Sequence, residues 1–353
     1  MPTMDACIAS GVDPGSAGNP WNQSSSRSKV RLTSVDAEPK SEASEHERPI
    51  AFVTGASRGI GKASALALAA AGFDVALTAR TLADGESREH SSTLKASDDR
   101  PMPGSLTSTA DMVRAAGGRA LVVVADLLDQ QSLIAAAHRT LEEWGHVDVV
   151  VHNGRYIGPG NMDLFVDTPI ELLERQLAAN VIGPLVLNRE FLPSMLARGS
   201  GTIIDITSAV AYADPGAPAG EGGWGMGYGI SKAAFHRIAG FLDVEYGDHG
   251  LRCFNVQPGV VDTERGGMDS GRFGFGGWGA PPEVVGAVVA WLASDPAADA
   301  LSGTTVEAQF LCHERRLLPD WPGPTPNKAA IRYDPAAENL RRLEEQLTQS
   351  SER

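Results

Sequence analysis

The chain has 353 residues and a formal net charge of −14, a balance that disfavours nonspecific binding to nucleic-acid phosphates. A hydrophobic content of 42% suffices for one large α/β core with appendages. The cysteines Cys7, Cys253 and Cys312 are far apart with no CxxC pair, which argues against a disulfide framework or a metal site and fits a reducing, cytoplasmic compartment.

Residues 1–48 are rich in Ser, Gly, Asp, Glu and Pro, lack apolar periodicity and read as a disordered tail without a signal peptide. The core begins at Ile50-Ala-Phe-Val-Thr54, a short buried strand, followed by an Ala- and Leu-rich helix over Ile60–Ala71 closed by Gly72. Asp74–Ala79 is a second strand. This longest apolar stretch, from Ala63 to Ala79, is interrupted by Gly72 and Asp74, so nothing here is expected to span a membrane. Residues 82–105 are polar, contain Pro101-Met-Pro-Gly104 and read as a surface insertion. Further strands are expected at Leu121–Ala125, Val147–Val151, Thr202–Ile206, Arg252–Val256 and Thr304–Ala308. Apolar, β-branched runs alternating with helix-length segments predict one Rossmann-type α/β domain over residues 49–312: a doubly wound, mostly parallel seven-stranded sheet with helices on both faces. Residues 313–353 form a C-terminal extension, proline-rich at Pro319–Pro326, with a short charged helix over Pro335–Leu347.

After the first strand, Gly55, Gly59 and Gly61 form a Gly-x-x-x-Gly-x-Gly turn that opens a helix. Glycines let backbone approach a pyrophosphate, which meets the amides and dipole of that helix. Ser57, Arg58 and Ile60 lie within the turn. Arg80 follows the second strand, where an acid would face the ribose diol of NAD; Thr78-Ala79-Arg80 has none. Two guanidiniums, Arg58 and Arg80, suit a 2′-phosphate, so NADP(H) is favoured over NAD(H). Asp126, beside Leu127, can accept a hydrogen bond from the adenine amino group or cap the next helix. Asn153-Gly154 puts a small residue where backbone passes close to cofactor or strand.

Tyr228-Gly-Ile-Ser-Lys232 places a phenol and an ammonium on one helix face. A phenol with an unperturbed pKa of about 10 is a poor base at neutral pH. A fixed positive charge beside it favours phenolate and makes it a usable proton donor or acceptor. Upstream, Thr168-Pro169-Ile-Glu171 reads as a capping box opening a helix that runs through Asn180. Pro184 has no amide and its ring clashes with the carbonyl of Asn180, so a bend is expected there that frees this carbonyl for a water. Ser208 ends an apolar strand; the adjacent Thr207 points to the other face and competes for the same role.

Together these motifs resemble the short-chain dehydrogenase/reductase family over Pro49–Leu311. Thr54–Gly61 matches its cofactor turn. Asn180, Ser208, Tyr228 and Lys232 fall in the order of its catalytic tetrad, and Pro258-Gly259-Val-Val261-Asp-Thr263 matches its Pro-Gly-x-x-x-Thr segment. The resemblance implies that Tyr228 exchanges a proton with the substrate oxygen, that Ser208 positions that oxygen, and that Lys232 lowers the tyrosine pKa and binds the nicotinamide ribose. It also implies that Thr263 holds the carboxamide and Asn180 anchors a relay water, in a homodimer or homotetramer. His152-Asn-Gly-Arg155 departs from the family's usual Asn-Asn-Ala-Gly, putting a bulky Arg155 in place of glycine. The Ser208–Tyr228 spacing is long, and Glu307-Ala-Gln-Phe310 replaces a frequent Asp-Gly-Gly.

Two glycine-rich segments flank the expected site. One carries Trp224 and Met226; the other, Gly266–Gly279, carries Phe273, Phe275 and Trp278 and reads as a lid over an apolar substrate. These aromatics can equally pack the lid onto the body. No charged group is obviously reserved for an acidic substrate, and no metal is expected. The function expected is NADP(H)-dependent hydride transfer to or from a carbonyl or secondary alcohol. A non-catalytic dinucleotide sensor or scaffold, or reduction of a C=C or imine bond, remain the alternatives.

Overall fold

The computed structural model describes residues 48–269, 272–273, 279–324 and 331–332. The expected N-terminal tail, the helix over Pro335–Leu347, Phe275 and Trp278 lie outside these residues.

All five residues of β1 (Ile50–Thr54) are buried, as the apolar run requires of a strand covered on both faces. It leads through the glycine turn into α1 (Gly59–Ala70), and β2 (Asp74–Ala79) returns beside it. Then follow α2 (Leu106–Ala115), β3 (Ala120–Val124), α3 (Gln130–Trp144) and β4 (Val149–His152). The second half comprises α4 (Ile170–Leu177), α5 (Gly183–Arg198), β5 (Gly201–Ile206), β6 (Asp214–Pro215), α6 (Met226–Tyr246) and β7 (Leu251–Gln257). The chain continues through α7 (Glu264–Asp269), α8 (Pro282–Ser294), β8 (Thr305–Glu307), α9 (Ala308–Arg315) and β9 (Ile331–Arg332).

Seven strands form one parallel sheet in the order β3-β2-β1-β4-β5-β7-β8. Successive strands run outward from β1 in one direction and from β4 in the other. The carboxyl ends of β1 and β4 therefore border the crevice where such sheets bind ligands. One apolar layer, with Val53, Leu68, Phe254 and Val288, lies between the sheet and α1 and α8; the other, with Phe52, Leu133, Phe191 and Ile203, faces α3, α5 and α6. The short β6 and β9 pair antiparallel apart from the main sheet. Among the described residues no helix is long and apolar enough to cross a membrane.

Three local expectations change. The strand expected over Thr304–Ala308 ends at Glu307, because Ala308 opens α9. The capping box at Thr168 does not form: its hydroxyl donates back to the Leu164 carbonyl (2.9 Å), closing a short turn over Phe165–Asp167, and Pro169 becomes the N-cap of α4. The segment 82–105, read as a surface insertion, has no helix or strand yet buries His90, Ser91, Ser92, Thr93 and Met102.

Candidate active site

A cleft at the sheet's crevice is lined by the glycine turn, the ends of β2, β3 and β4, Tyr228, Lys232, Thr263 and part of the insertion. The turn admits only glycine at its closest approach. A Cβ at Gly61 would lie 2.3 Å from the Gly55 carbonyl oxygen and 2.4 Å from Asn153 Nδ2, while Gly55 and Gly59 have φ of +66° and +54°. Asn153 holds the turn from β4, donating from Nδ2 to the Thr54 (2.9 Å) and Gly55 (3.2 Å) carbonyls, and Gly154 N donates to Thr54 Oγ1 (2.9 Å). Asn153 thus shapes the glycine turn through the backbone.

The arginines divide. Arg58 donates from Nε to the Pro103 carbonyl (2.9 Å) and from Nη2 to that of Gly104 (2.7 Å), fastening the insertion to the turn. Burial lowers its pKa, with the neighbouring Arg80 charge acting in the same direction. Arg80 is half-buried in the cleft wall without an acid beside it in Thr78-Ala79-Arg80. Asp126 accepts from Leu128 N (3.0 Å), and Asp129, not Asp126, caps α3 through Gln131 N and Ser132 N. Asp126 and Leu127 both line the cleft.

Sequence reasoning missed Glu264. Its Oε2 accepts from Gly59 N (2.9 Å) at the start of α1, and its Oε1 pairs with Lys62 (2.8 Å). A carboxylate at a helix N-terminus is favourable, and it ties the start of α7 to the glycine turn. Thr263 lies against the same glycine: a Cβ on Gly59 would meet Thr263 Cγ2 at 3.1 Å. Gly259, with φ of +70°, would bring a Cβ within 2.3 Å of Gln309 Nε2, and Val261 bridges Ala280. These two shape the loop after β7, whereas Ser57, Ile60 and Pro258 line the cleft directly.

The insertion forms one wall of the cleft and is latched from several sides. Arg265 donates to the His90 carbonyl (2.6 Å) and to Ser92 Oγ (2.7 Å), and Asp163 accepts from Thr93 Oγ1 (2.5 Å) and Leu94 N (2.9 Å). The polar composition concealed this wall, because its contacts come from residues far away in sequence.

Tyr228 and Lys232 are buried on one face of the first turns of α6. Lys232 Nζ donates to the Ile206 carbonyl at the end of β5 (2.7 Å). Burial pushes its pKa down to about 7, the nearby Arg155 charge adds to that, and Asp205 opposes it. Asp205 is fully buried on β5 and neither carboxylate oxygen has a hydrogen-bond partner among the described residues; desolvation raises its pKa to about 8. In register with it stand His152 on β4 and Asn255 on β7. His152 Nε2 pairs with Asn188 Oδ1 (2.8 Å), and burial lowers the imidazole pKa to about 4. A row of buried polar groups therefore lies behind the lysine.

Where a bend was expected ahead of Pro184, the helix leaves regular α geometry: α4 and α5 are joined by a π-turn over Ala178–Ile182. Asn180 Oδ1 accepts from Tyr156 N (2.6 Å), and its Nδ2 donates to Ser231 Oγ (2.9 Å), which donates to the Tyr228 carbonyl (2.9 Å). Asn180 thus holds the loop after β4 to the turn of α6 that carries Tyr228. Thr207 is occupied by His236 Nδ1 (3.1 Å). Ser208, extended at φ −162°, has no side-chain hydrogen bond among the described residues, and Thr207 rather than Ser208 borders the cleft. Trp224 stacks on Tyr228 with centroids 4.7 Å apart. Met226 is 50% exposed and Phe273 is buried; neither borders the cleft. Arg155, the departure after β4, lies over the Tyr228 and Trp224 rings, 5.5 and 5.8 Å from their centroids. Among the described residues no cluster of His, Cys, Asp and Glu could hold a metal ion.

A glycine cradle at a sheet switch point, with a buried Tyr–Lys pair across the cleft, defines a dinucleotide-binding oxidoreductase site. The family model described as enoyl-(acyl carrier protein) reductase matches residues 55–308. The chain belongs to the short-chain dehydrogenase/reductase family, the NAD(P)-dependent oxidoreductases of CH–OH and C=O groups. It is 30% identical over 258 residues, 70% of this chain and 89% of the relative, to an L-rhamnose 1-dehydrogenase (NAD(P)(+)) of Sphingomonas. It is 33% identical to a 2-(R)-hydroxypropyl-CoM dehydrogenase of Xanthobacter autotrophicus over 61% of this chain and 75% of that one. A short-chain dehydrogenase from Mycobacterium paratuberculosis bound to NAD superposes with a TM-score of 0.59 at 25% identity, covering 73% of this chain and 95% of that one. A 3-oxoacyl-[acyl-carrier protein] reductase of Brucella melitensis in complex with NAD gives 0.60 at 25% identity, covering 74% and 96%.

Proposed function

We propose that the protein is an NADP(H)-dependent oxidoreductase acting on a carbonyl or secondary alcohol carried on a largely apolar skeleton. The observation that carries this reading is the pair Tyr228 and Lys232, buried together on α6, with the ammonium fixed on the Ile206 carbonyl beside the glycine cradle. The bound dinucleotide would supply or accept hydride. Gly55, Gly59, Gly61 and Asp126 would hold it, Thr263 its carboxamide end, and Lys232 its ribose. The chain's own part is proton transfer and positioning. Tyr228 gives its phenolic proton to the oxygen of a carbonyl, or takes it from an alcohol. Lys232 in its charged form favours phenolate and so aids proton departure. The family resemblance assigns the substrate oxygen to Ser208, whose hydroxyl is uncommitted although Thr207 is the residue lining the cleft, and Asn180 fixes the turn bearing Tyr228 to the β4 loop.

NADP(H) preference rests on Arg80 in the cleft wall, the lack of an acid at the end of β2, and the Arg58 charge nearby. Because Arg58 also fastens the insertion, Arg80 carries most of the discrimination. The apolar skeleton suits Tyr156, Ile157 and Met102 in the cleft wall. The family resemblance supports a homodimer or homotetramer.

Titration with NADPH and NADH, read by nicotinamide emission, tests the cofactor claim. Arg58→Ala combined with Arg80→Ala is expected to weaken NADPH far more than NADH, and equal losses would refute it. Tyr228→Phe should retain cofactor binding while turnover falls by about 10²-fold or more; full activity would sink the mechanism. Dinucleotide binding without turnover of any carbonyl or alcohol would favour a sensor or scaffold.

A further inference from the structure

Arg155 is half-buried in the cleft wall on the loop after β4. Its guanidinium lies 5.5 Å from the centroid of the Tyr228 ring and 5.8 Å from that of Trp224. Its one hydrogen bond among the described residues runs from Nη1 to the carbonyl of the next residue, Tyr156 (3.2 Å). None of the ion pairs among the described residues includes it. A guanidinium has five N–H donors, so most of this fork is uncommitted and faces the chemistry.

Lys232, on the same helix as Tyr228, is a second basic group whose pKa the Arg155 charge helps to depress. Asp205, the acid beside Lys232, is fully buried within β5 and held near neutrality. Two basic groups thus act on one another at the cleft, and among the described residues no acid pairs with Arg155. Stacking on the two rings offsets only part of the repulsion and desolvation. An anion placed between the guanidinium and the phenol relieves both.

We propose that Arg155 binds an anionic group of the substrate, making the substrate an oxo acid or hydroxy acid whose carboxylate lies a few bonds from the reacting carbon. This rests on the oxidoreductase reading. In the reductive direction the carbonyl carbon receives hydride from the reduced dinucleotide and the carbonyl oxygen receives the Tyr228 proton. The C=O π bond breaks, and no bond to the carboxylate carbon changes. The carboxylate serves for orientation, accepting two parallel N–H bonds from the fork and turning one face of the carbonyl toward the phenol.

The test compares 2-oxo and 3-oxo acids of four to eight carbons with their methyl esters, using NADPH and the intact protein. Losing a charged bidentate contact corresponds to about 10–100-fold, so the acid-to-ester ratio of kcat/KM should exceed about 10 in the wild type. Arg155→Gly should bring that ratio to about 1, with Arg155→Lys in between. NADPH affinity is measured on each variant and also reports folding. A wild-type ratio near 1 overturns the proposal. So does an Arg155→Gly loss of NADPH affinity matching its loss on acids, because the fork would then serve a cofactor phosphate. The corresponding hydroxy acids, titrated with NADPH present and read by tryptophan fluorescence, separate the two readings. Arg155-dependent binding without turnover of any acid or ester upholds the anion site and sinks the oxidoreductase reading. Neither binding nor turnover overturns the anion site.

Discussion

Replacing Asp205 by Asn should make the protein more stable at neutral pH, although the residue sits in the middle of the sheet. Its carboxyl is fully buried without a hydrogen-bond partner among the described residues, and desolvation raises its pKa from 3.8 to about 8. In the unfolded chain this group ionises near pH 4; in the fold it keeps its proton to about pH 8. Between those values the native state binds one more proton than the unfolded state. The associated stability is fully present below pH 4 and is lost as pH rises through 8, at about 1.4 kcal/mol per pH unit. From pH 5 to pH 7, inside that window and below most of the Lys232 titration, the loss amounts to about 3 kcal/mol. Asn has the same shape and unmet hydrogen-bonding groups but no charge to expel. Urea unfolding of both proteins at pH 5, 6 and 7 measures the difference. The Asp205→Asn protein should gain on the wild type by about 3 kcal/mol across the series. Parallel curves would mean that Asp205 is ionised in the fold, and the argument from desolvation would fail.

His152 gives the opposite slope. Its pKa falls from 6.5 to about 4 on burial, so its stability is present above pH 6.5 and is lost as pH falls through 4, about 3 kcal/mol in all. His152→Asn should flatten that acid limb in the same unfolding assay, and an unchanged limb would refute a buried neutral imidazole. Gly61→Ala places a methyl 2.3 Å from the Gly55 carbonyl oxygen. Dinucleotide affinity in fluorescence titration should fall more than about tenfold, equivalent to 1.4 kcal/mol, and unchanged affinity would show that the turn can open. Asn180→Ala removes the bonds from Tyr156 N and to Ser231 Oγ; leaving those partners buried should cost about 1–3 kcal/mol in chemical unfolding. A loss under about 0.5 kcal/mol would refute its role as a tie.

Much of the fold was legible because parallel strands buried on both faces leave near-continuous apolar runs, as at Ile50–Thr54 and Thr202–Ile206. The departure from regular helix around Asn180 was legible too, since the missing amide of Pro184 is a local fact of covalent chemistry. The failures have two causes. Thr168 bonds back four residues to Leu164, a local side-chain-to-backbone bond that competes with the capping box. Arg58 reaches carbonyls of the insertion and Glu264 crosses from the start of α7 to the first helix, and such partners are set by tertiary proximity, which neither spacing nor propensity encodes. Arg155 stood out only as a misfit in a motif; its place over Tyr228 required the packing of α6 against the β4 loop.

The π-turn at Ala178–Ile182 also determines which changes of length the chain can tolerate. Each residue advances an α-helix by about 100°, so the widened turn sets α5 out of phase with α4 by roughly one residue. Removing one residue there would produce a more regular rod, with better local geometry by every helix criterion. It would also rotate everything downstream by about a quarter turn, carrying Leu187, Asn188 and Phe191 off the sheet and parting His152 from its partner. The wider turn is therefore the registered arrangement, and straightening the helix would dismantle the layer behind Lys232.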